Sequence, residues 1–345
     1  MDKDNQRISA RQASKPSVSI VIPFYNLESE AGRCLDSVLA QSFEDFEVIC
    51  VNDGSVDGTA DVLDSYAKSD ARVRVIHKAN GGLSDARNAG IAASEGVYAT
   101  FIDGDDVVSH LYLESLVSAM EGASGRLVIG NCMPVRESDI RNALDKMSAF
   151  AVCKAVTREE ACRRLLSKGL PSLAQAKLFE TSYYRDNPFP LGVRYEEIRT
   201  IGKLMSCAKE VRIIEAPIYG YVMREGSIVH ALNASGVQGI EYAEAIQIAI
   251  EDFRALGYDL ELEIAFFRAL MYTRVHDFTK RISTVGDASV IEDIAKTAVN
   301  LSYRDALQCQ DASTAQKIRL TLYRFLPHVY DVVMPMYNRM TKGVE

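Results

Sequence analysis

The sequence predicts an α/β fold with a mostly parallel central sheet, followed by a helical carboxyl-terminal region. Between residues 16 and 121, short apolar runs alternate with segments of helical period, a pattern typical of parallel strands joined by helices. Beyond residue 232 this alternation stops and only helical patterns follow. We therefore expect a flexible tail over 1–15, a sheet-containing domain over 16–231 and a helical region over 232–345.

The individual elements follow from the same patterns. The short apolar runs predict strands over 18–23, 46–51, 73–77 and 97–102. The segments of helical period predict helices over 28–40, 57–69, 84–93 and 110–121. Further along, we expect a strand over 126–130, a polar excursion over 135–156, a helix over 157–167 and further helices over 241–256, 260–281, 288–301 and from 316 onward. Thr157 and Glu160 stand at capping-box spacing.

Composition and charge exclude several classes of protein. The net charge of -8 argues against general nucleic-acid binding, which needs a basic excess. The first fifteen residues contain no apolar stretch of the kind that a secretory signal has, and no run of roughly 18 apolar residues predicts a membrane span. The seven cysteines form no C-x-x-C pair, which favours reduced thiols. We expect a cytoplasmic protein, with peripheral contact at the inner face of a membrane left open.

Polar residues of unusual chemistry follow each of the first four predicted strands. These segments are Pro23-Phe24-Tyr25-Asn26, residues 52–59, Asn80-Gly81-Gly82 and Asp103-Gly104-Asp105-Asp106. In open parallel sheets, ligands bind outside the carboxyl ends of the strands. The four loops are therefore predicted to converge on one crevice.

The acidic turn at 103–106 is the most informative of these loops. Three carboxylates this close repel one another unless a cation lies between them, and Asp oxygens suit Mg²⁺ or Mn²⁺. A solvated turn after a strand is the alternative. Asp53, at the end of the second strand, could accept a hydrogen bond from an imide N–H such as that of uracil, whereas Asp57 is expected to cap the following helix. Arg87 lies one turn into a helix at the same edge, where a guanidinium suits diphosphate.

Five segments resemble glycosyltransferase family 2 in order and spacing. They are residues 18–26, 37–43, 52–59, 80–90 and the acidic turn. The resemblance covers about residues 16–120 densely. It implies a GT-A fold, a nucleotide-sugar donor that is usually a UDP-sugar, and inversion at the anomeric carbon.

The resemblance also implies roles for residues of the donor side. Pro23 and Tyr25 would line the nucleobase pocket, Asp53 would bind uracil, and Arg87 would lie by the nucleotide. Asp103 and Asp105 would form the D-x-D pair that serves ribose and a Mn²⁺ or Mg²⁺ ion, with Asp106 a less certain third carboxylate. Asn26, Asn80 and Gly81 belong to the same donor-binding loops. Arg224, in a segment resembling the family's Arg-x-Gly-Ser stretch, would belong to a loop that closes over the diphosphate together with Ser227 and His230.

The catalytic base implied by the resemblance is Glu197. It follows Glu196 at the place where the family usually has a Glu-Asp pair beginning a helix, so a longer carboxylate stands at the base position. The alternative is two exposed acids in the first turn of a helix. Upstream, Gln175 stands in the aromatic place of the family's Trp-x-Lys-Leu-Tyr segment, and the chain contains no tryptophan.

The segment 316–342 contrasts with the acidic chain. It contains five basic residues and one acid, a local excess of +4, interleaved with apolar residues. This combination suits contact with anionic lipid. Packing on the body of the protein or on the partner in a homodimer is the alternative.

The sequence suggests three candidate functions. The first is a metal-dependent, inverting glycosyltransferase that extends a polysaccharide or surface glycan, with a glycan or lipid-linked acceptor. The second is a catalytically weakened member that acts as a nucleotide- or glycan-binding scaffold, suggested by Glu197 and by the missing aromatic at Gln175. The third, a nucleotidyltransferase, is disfavoured because no glycine-rich basic loop follows the first strand. The absence of a glycine-rich loop after the first strand also counts against a dinucleotide-binding dehydrogenase.

Overall fold

The computed structural model describes residues 15–120, 125–147, 153–167, 174–223, 236–279 and 285–341. Within these ranges the strands are β1 (Val18–Phe24), β2 (Phe46–Asp53), β3 (Val73–Lys78), β4 (Tyr98–Phe101), β5 (Val107–Val108), β6 (Arg126–Arg136), β7 (Cys153–Val156), β8 (Lys177–Glu180) and β9 (Glu210–Met223). They form one sheet in the order β3-β2-β1-β4-β8-β6-β9-β5, with β7 paired to β9.

The helices of the described ranges connect and flank these strands. They are α1 (Ala31–Leu39), α2 (Thr59–Ser69), α3 (Leu83–Ala93), α4 (Tyr112–Met120), α5 (Ile140–Lys146), α6 (Arg158–Ser167), α7 (Thr181–Asp186), α8 (Glu196–Cys207), α9 (Gly236–Ala255), α10 (Glu261–Thr279), α11 (Val285–Gln308), α12 (Thr314–Phe325) and α13 (Pro327–Thr341). A short 3₁₀ turn, Glu137–Asp139, precedes α5.

The first four long strands form the parallel part of the sheet. β1 pairs in parallel with β2 and β4, and β2 pairs in parallel with β3. Every residue of β1 and β2 is buried, because helices cover both faces of a parallel sheet. The register aligns Phe24 with Asn52, and Asp53 with Lys78. The loops that follow these strands therefore open at one edge, as predicted.

The second half of the sheet changes direction. β8 is antiparallel to both β4 and β6, whereas β6 and β9 pair in parallel. With β5 and β7 antiparallel to β9, four strand pairs in the described sheet are parallel and four are antiparallel. The expectation of a mostly parallel sheet thus holds for the strands up to residue 101. Among the later strands, β5 has two residues and is too short to give a periodic signal, and the direction of β8 depends on pairing with strands distant in sequence.

The stretch predicted as a polar excursion over 135–156 is structured. It holds the end of β6, the helix α5 and the strand β7. Val107, Val135, Ala143 and Val222 form a small buried cluster there. Val107 and Val222 come from strands distant in sequence. The apolar partners of Val135 and Ala143 are therefore not visible in the local sequence.

The carboxyl-terminal helices share a core with one face of the sheet. One buried cluster joins Phe101 of β4 to Phe253, Phe266 and Leu320 of the helices α9, α10 and α12. The predicted boundary near residue 232 and most of the predicted tail lie outside the described residues, so the division into 16–231 and 232–345 stays a prediction.

The cysteines and the helices of the structure can be compared with the predictions from composition. All seven cysteines are free thiols. No helix within the described ranges combines the length and the apolar character needed to cross a bilayer.

Candidate active site

The loop after β1 is tied to the loop after β2. Asn26 adopts a left-handed conformation with φ of 51°. Its backbone N–H donates to Ser55 Oγ at 3.0 Å, and its Oδ1 accepts from the N–H of Val56 at 2.9 Å. Pro23 is buried in β1, whereas Tyr25 is 50% exposed. Asn26 therefore holds the loops together, and Tyr25 presents an accessible ring at the edge where the nucleobase is predicted.

Asp57 also has a structural place in this loop. Its Oδ1 accepts hydrogen bonds from the backbone N–H of Thr59 at 3.1 Å and from Thr59 Oγ1 at 2.5 Å. α2 begins at Thr59. The expected capping role of Asp57 agrees with these contacts, since the carboxylate satisfies an N–H at the start of the helix.

Asp53 anchors the loop after β3. Its Oδ1 accepts from Lys78 Nζ at 2.6 Å and from the N–H of Gly81 at 2.9 Å, and its Oδ2 accepts from the N–H of Gly82 at 2.8 Å. Lys78 Nζ also lies 2.6 Å from the carboxylate of Asp85. We call these five residues the Asp53 cluster.

Asn80 and Gly81 complete this loop. Asn80 Nδ2 donates to the backbone oxygen of Asp53 at 2.9 Å. A Cβ at Gly81 would collide with the carboxylate of Asp85, so a larger residue here would require the Asp85 side chain to move. The structure thus places Asn26, Asp53, Asn80 and Gly81 in one hydrogen-bonded group of loops.

Arg87 is fully buried on α3, with 0% of its side chain exposed. Its Nη1 donates to Glu196 Oε1 at 2.7 Å. Its Nη2 donates to Asp103 Oδ1 at 3.2 Å and to Glu197 Oε1 at 3.1 Å. The guanidinium carbon also lies 5.4 Å from the centre of the Phe189 ring. Arg87, Asp103, Glu196 and Glu197 are named the Arg87 cluster below.

The backbone of Phe189 is fixed by the residue next to Arg87. Asn88 Nδ2 donates to the carbonyl of Phe189 at 2.8 Å, and Asn88 Oδ1 accepts from the N–H of Phe189 at 2.9 Å. α3 therefore holds the segment that leads into α8 through two adjacent side chains. This arrangement joins residues more than 100 positions apart in the sequence.

Within the acidic turn the three carboxylates have different surroundings. Asp106 is 1% exposed, and its Oδ2 accepts from Tyr219 Oη at 2.5 Å while its Oδ1 accepts from the N–H of Val222 at 2.8 Å. Tyr219 Oη in turn accepts from the N–H of Asp103 at 3.1 Å. Asp106 thus fastens the turn to β9, whereas Asp103 and Asp105 remain half-buried.

The pKa values of the turn reflect crowded negative charge. Burial raises the pKa of Asp106 well above its usual range, and repulsion from Asp103 and Asp105 adds to this. Burial also raises the pKa of Asp103, although the Arg87 guanidinium opposes that shift. A cation placed beside these groups would lower both pKa values, because opposite charge favours the ionised form.

Glu197 lies at the start of α8, directly after a left-handed turn. Tyr195 has φ of 60° and precedes the helix. Burial raises the pKa of Glu197 to about 7; the Arg87 guanidinium opposes this shift, and Glu196 and Asp103 contribute to it. About 20% of the Glu197 side chain is exposed, against 8% for Glu196. Glu197 is therefore an accessible carboxyl that can accept a proton near neutral pH.

Two buried polar residues near the site have contacts that sequence reasoning did not predict. Gln175 is 3% exposed, and its amide donates to Asp103 Oδ2. The residue at the position where the resemblance implies an aromatic is thus a hydrogen-bond partner of Asp103, a member of the predicted D-x-D pair. Lys177 is 2% exposed, and burial lowers its pKa to about 8. Lys177 and Glu197 line one small cavity together with Tyr183, Tyr184 and Phe189.

Asp103 and Asp105 are the right type of ligand for the predicted metal, but they supply only part of the ligands that it needs. Asp103 and Asp105 offer carboxylate oxygens, which Mg²⁺ and Mn²⁺ prefer. Burial is the main cause of the raised pKa of Asp106, and repulsion from Asp103 and Asp105 adds to it. In the part of the chain that is described, no three His, Cys, Asp or Glu side chains are grouped to hold a metal. The remaining ligands would have to include oxygens from a bound diphosphate.

One predicted group of site residues has no structural account. Arg224, with Ser227 and His230, lies outside the described residues. The roles assigned to these residues stay predictions.

The order of elements and the matched residues decide the family. Residues 19–180 match the profile described as "Glycosyl transferase family 2". Residues 19–180 therefore belong to glycosyltransferase family 2. The predicted resemblance is therefore confirmed.

Relatives in the family are similar over parts of their length. The uncharacterized glycosyltransferase EpsJ of Bacillus subtilis is 47% identical over 126 residues, which cover 36% of this chain and 36% of EpsJ. Glycosyltransferase GlyA of Streptococcus pneumoniae is 26% identical over 266 residues, which cover 74% of this chain but 37% of GlyA. The chain thus spans little more than a third of the length of either relative.

Solved structures of glycosyltransferases show the same fold. TarS 1–349 of Staphylococcus aureus, solved with UDP-GlcNAc, has a TM-score of 0.53 at 18% identity, covering 89% of this chain and 91% of TarS 1–349. The mannosyltransferase PcManGT of Pyrobaculum calidifontis, solved with GDP-Man and Mn²⁺, has a TM-score of 0.50 at 15% identity, covering 94% of both chains. This chain has the GT-A fold, as predicted.

Proposed function

We propose that this family 2 chain is an inverting, metal-dependent glycosyltransferase. It transfers a hexosyl or N-acetylhexosaminyl group from a UDP-sugar to a hydroxyl of a glycan or lipid-linked acceptor. The observation that carries the proposal is the Arg87 cluster, in which one buried guanidinium joins Asp103 of the predicted donor side to Glu197 at the predicted base position. A donor and an acceptor bound on the two sides of this cluster would meet beside Glu197.

In the proposed reaction Glu197 acts as general base. Its carboxylate takes the proton of the acceptor hydroxyl while that oxygen attacks the anomeric carbon from the face opposite the diphosphate. The new glycosidic bond forms as the bond from the anomeric carbon to the phosphate oxygen breaks, and the electron pair leaves with the diphosphate. A pKa of about 7 suits this step, since a base is most effective when its pKa lies near the working pH.

The Arg87 guanidinium orients this base. It binds Glu197 and Glu196 on one side and Asp103 on the other, which fixes the distance between the two halves of the site. Positioning of this kind matters because a misplacement of about 1 Å can cost roughly 100-fold in rate.

Asp103 and Asp105 would hold the Mn²⁺ or Mg²⁺ ion of the proposed enzyme. When bound, such an ion offsets the negative charge that grows on the departing diphosphate. The Mn²⁺ in the structure of PcManGT supports a divalent cation in this fold. The side chain of Gln175 donates a hydrogen bond to Asp103 Oδ2 and thereby orients that carboxylate.

Uracil as the base of the donor nucleotide is supported by two observations. TarS was solved with UDP-GlcNAc, and Asp53, the residue expected to meet uracil, ends β2 at the same edge of the sheet as the loop that carries Tyr25. The scaffold alternative is not favoured by the comparisons, because EpsJ, GlyA and PcManGT all bear the names of transferases.

The test is a calorimetric titration of the full chain with UDP, with and without Mn²⁺, followed by UDP-glucose, UDP-galactose and their N-acetyl forms. We expect UDP to bind only with metal, and one sugar to be favoured. Asp105→Ala should abolish both metal-dependent binding and transfer. Asp61→Ala, an exposed acid in the first turn of α2, is the matched control and should change neither.

Three outcomes would contradict parts of the proposal. Undiminished transfer by Asp105→Ala would remove the D-x-D assignment. Equal UDP affinity with and without Mn²⁺ would remove the metal. Binding of GDP with no binding of UDP would replace the nucleotide but keep the class of reaction.

A further inference from the structure

The last two helices of the described chain expose a continuous apolar surface. Sixteen large hydrophobic side chains are exposed in the described residues, and six of them lie within residues 325–336. Their exposed fractions run from 40% to 60%: Phe325, Leu326, Val329, Val332, Val333 and Met336. We call these six the outer face. Exposed apolar side chains that cluster in this way mark interaction sites, whereas scattered ones need no explanation.

The outer face belongs to a helix that is firmly attached. Tyr330 and Met334 of α13 are 1% and 5% exposed and pack into the main core. Tyr330 Oη accepts from Arg319 at 3.1 Å, and Asp331 lies 3.1 Å from His276 of α10. The helix thus uses one side to bind the body of the protein.

The opposite side of α13 is apolar as well. Positions 329, 332, 333 and 336 follow the i, i+3, i+4, i+7 spacing of a single helical face. Phe325 and Leu326 extend this face across the junction between α12 and α13. A helix with a second apolar stripe directed away from the core is built to meet something other than water.

Charge indicates what that partner is. Residues 316–342 carry five basic residues and one acid, giving +4, while the rest of the chain carries -8 minus 4, or -12. The single acid, Asp331, already faces His276. The exposed Arg324 lies beside the outer face, with its guanidinium carbon 5.2 Å from the centre of the Phe325 ring. An apolar face with an exposed arginine at its edge therefore lies in a basic segment of an otherwise acidic protein.

We propose that the outer face docks on an anionic lipid surface, with α13 lying in the plane of the headgroups. Its apolar side chains would enter the boundary between headgroups and acyl chains, and Arg324 would bind lipid phosphates. A second copy of the chain fits less well, because a two-fold contact brings a patch against itself, and the interface would then hold two copies of the same basic segment.

The test is co-sedimentation of the full chain with vesicles of phosphatidylglycerol and phosphatidylcholine, and with vesicles of phosphatidylcholine alone. We expect binding to the anionic vesicles only, weakened when NaCl is raised from about 0.1 M to about 0.5 M, because salt screens the attraction. The double variant Val332→Asp/Met336→Asp should reduce binding at least about tenfold, since two charges would enter the apolar layer.

A matched control lies on α11. Val290 and Ile294 are also exposed apolar residues four positions apart, 55% and 38% exposed, so Val290→Asp/Ile294→Asp should bind vesicles like the unmodified chain. Arg324→Glu provides a second variant that changes one exposed side chain and leaves the helix faces intact. It should weaken binding to anionic vesicles by about tenfold or less.

Three results would overturn the proposal. Equal binding to neutral and anionic vesicles would do so, as would equal loss in the α11 control. A dimer in solution that Val332→Asp/Met336→Asp dissociates, with no vesicle binding by the unmodified chain, would assign the outer face to self-association. UDP titration of the same variants reads the donor site separately, so a failure here is distinguishable from a failure of the proposed function.

Discussion

The Asp53 cluster and the Arg87 cluster lie at the same edge of the sheet but are balanced differently. In the Asp53 cluster, one ammonium and two backbone N–H groups bind Asp53, and all members come from residues 53–85. In the Arg87 cluster, one guanidinium binds three carboxylates drawn from residues 103–197. Lys78 is 20% exposed, whereas Arg87 is 0% exposed.

The Asp53 cluster holds loops together, whereas the Arg87 cluster is the proposed reactive centre. The carboxylate of Asp53 is surrounded by donors that hold two loops in place. The Arg87 cluster keeps a formal charge of -2 in a buried place, and burial there raises the pKa values of Asp103 and Glu197. A buried excess of negative charge favours the uptake of a cation or a proton, which is the property that the proposed reaction needs.

The largest expected effect comes from Arg87→Met, which leaves three carboxylates without their shared cation. We expect the free energy of unfolding to fall by about 3–5 kcal/mol, since breaking a buried ion pair leaves uncompensated charge. The deficit should shrink as pH falls, because the orphaned carboxylates then take up protons. Urea unfolding at pH 8 and pH 5.5 measures both.

Arg254→Met is the control for this substitution. Arg254 lies 2.7 Å from Glu261, but the side chains are 43% and 62% exposed, so the loss should be about 0.2–1 kcal/mol. Equal losses for the two variants would mean that the buried cluster is no more important to stability than a surface pair.

Glu197→Gln should be the most damaging change to catalysis that leaves the fold intact. Removing the proposed base should lower the rate of transfer by about 10²–10⁴-fold, while UDP binding with Mn²⁺ is retained. Glu160→Gln, in the first turn of α6 and 41% exposed, is the matched control and should leave the rate unchanged. An unaffected rate in Glu197→Gln would refute the role of the base.

The pH dependence of transfer follows from the raised pKa of Glu197. A base must be deprotonated to act, so kcat/KM should be constant well above pH 7 and fall about tenfold per pH unit well below it. This prediction uses the pKa of about 7. A profile that stays level down to pH 5 would show that no group with this pKa controls the reaction.

The predictable part of the fold is the part built from regular apolar strands. β1 to β4 could be predicted because their residues alternate regularly with helical segments, and all of β1 is buried. β5 has only two residues, and the four residues of β7 lie outside the regular alternation of strands and helices, so neither could be predicted. The reversal of direction at β8 depends on pairing with β4 and β6, which are distant in sequence.

The site divides in the same way. The loops that follow β1 to β4 could be located from local sequence. Lys78 could have been added, because it directly follows the predicted strand 73–77, and the structure pairs it with Asp53. The contacts of Asp103 with Gln175 and of Arg87 with Glu197 join positions 72 and 110 residues apart. No periodicity carries such information, and only the family resemblance pointed to Glu197.

The smallest expected effect comes from Lys78→Met, which tests the Asp53 cluster in the same way that Arg87→Met tests the Arg87 cluster. Lys78→Met removes the ammonium of the Asp53 cluster but leaves the N–H groups of Gly81 and Gly82 on Asp53. We expect a loss of about 1 kcal/mol in the free energy of unfolding and a modest loss of UDP affinity, measured by urea unfolding and calorimetry. A loss as large as that of Arg87→Met would mean that both clusters depend on their cations equally.

The position of Gln175 has a spectroscopic consequence. The chain contains sixteen tyrosines and no tryptophan, so Gln175→Trp would introduce a single indole fluorophore beside Asp103. Its emission could be excited at 295 nm, free of the tyrosine background. The substitution would restore the aromatic residue usual in the family and also convert the site into its own optical reporter, whose quenching or spectral shift would follow the arrival of nucleotide, metal and acceptor one at a time.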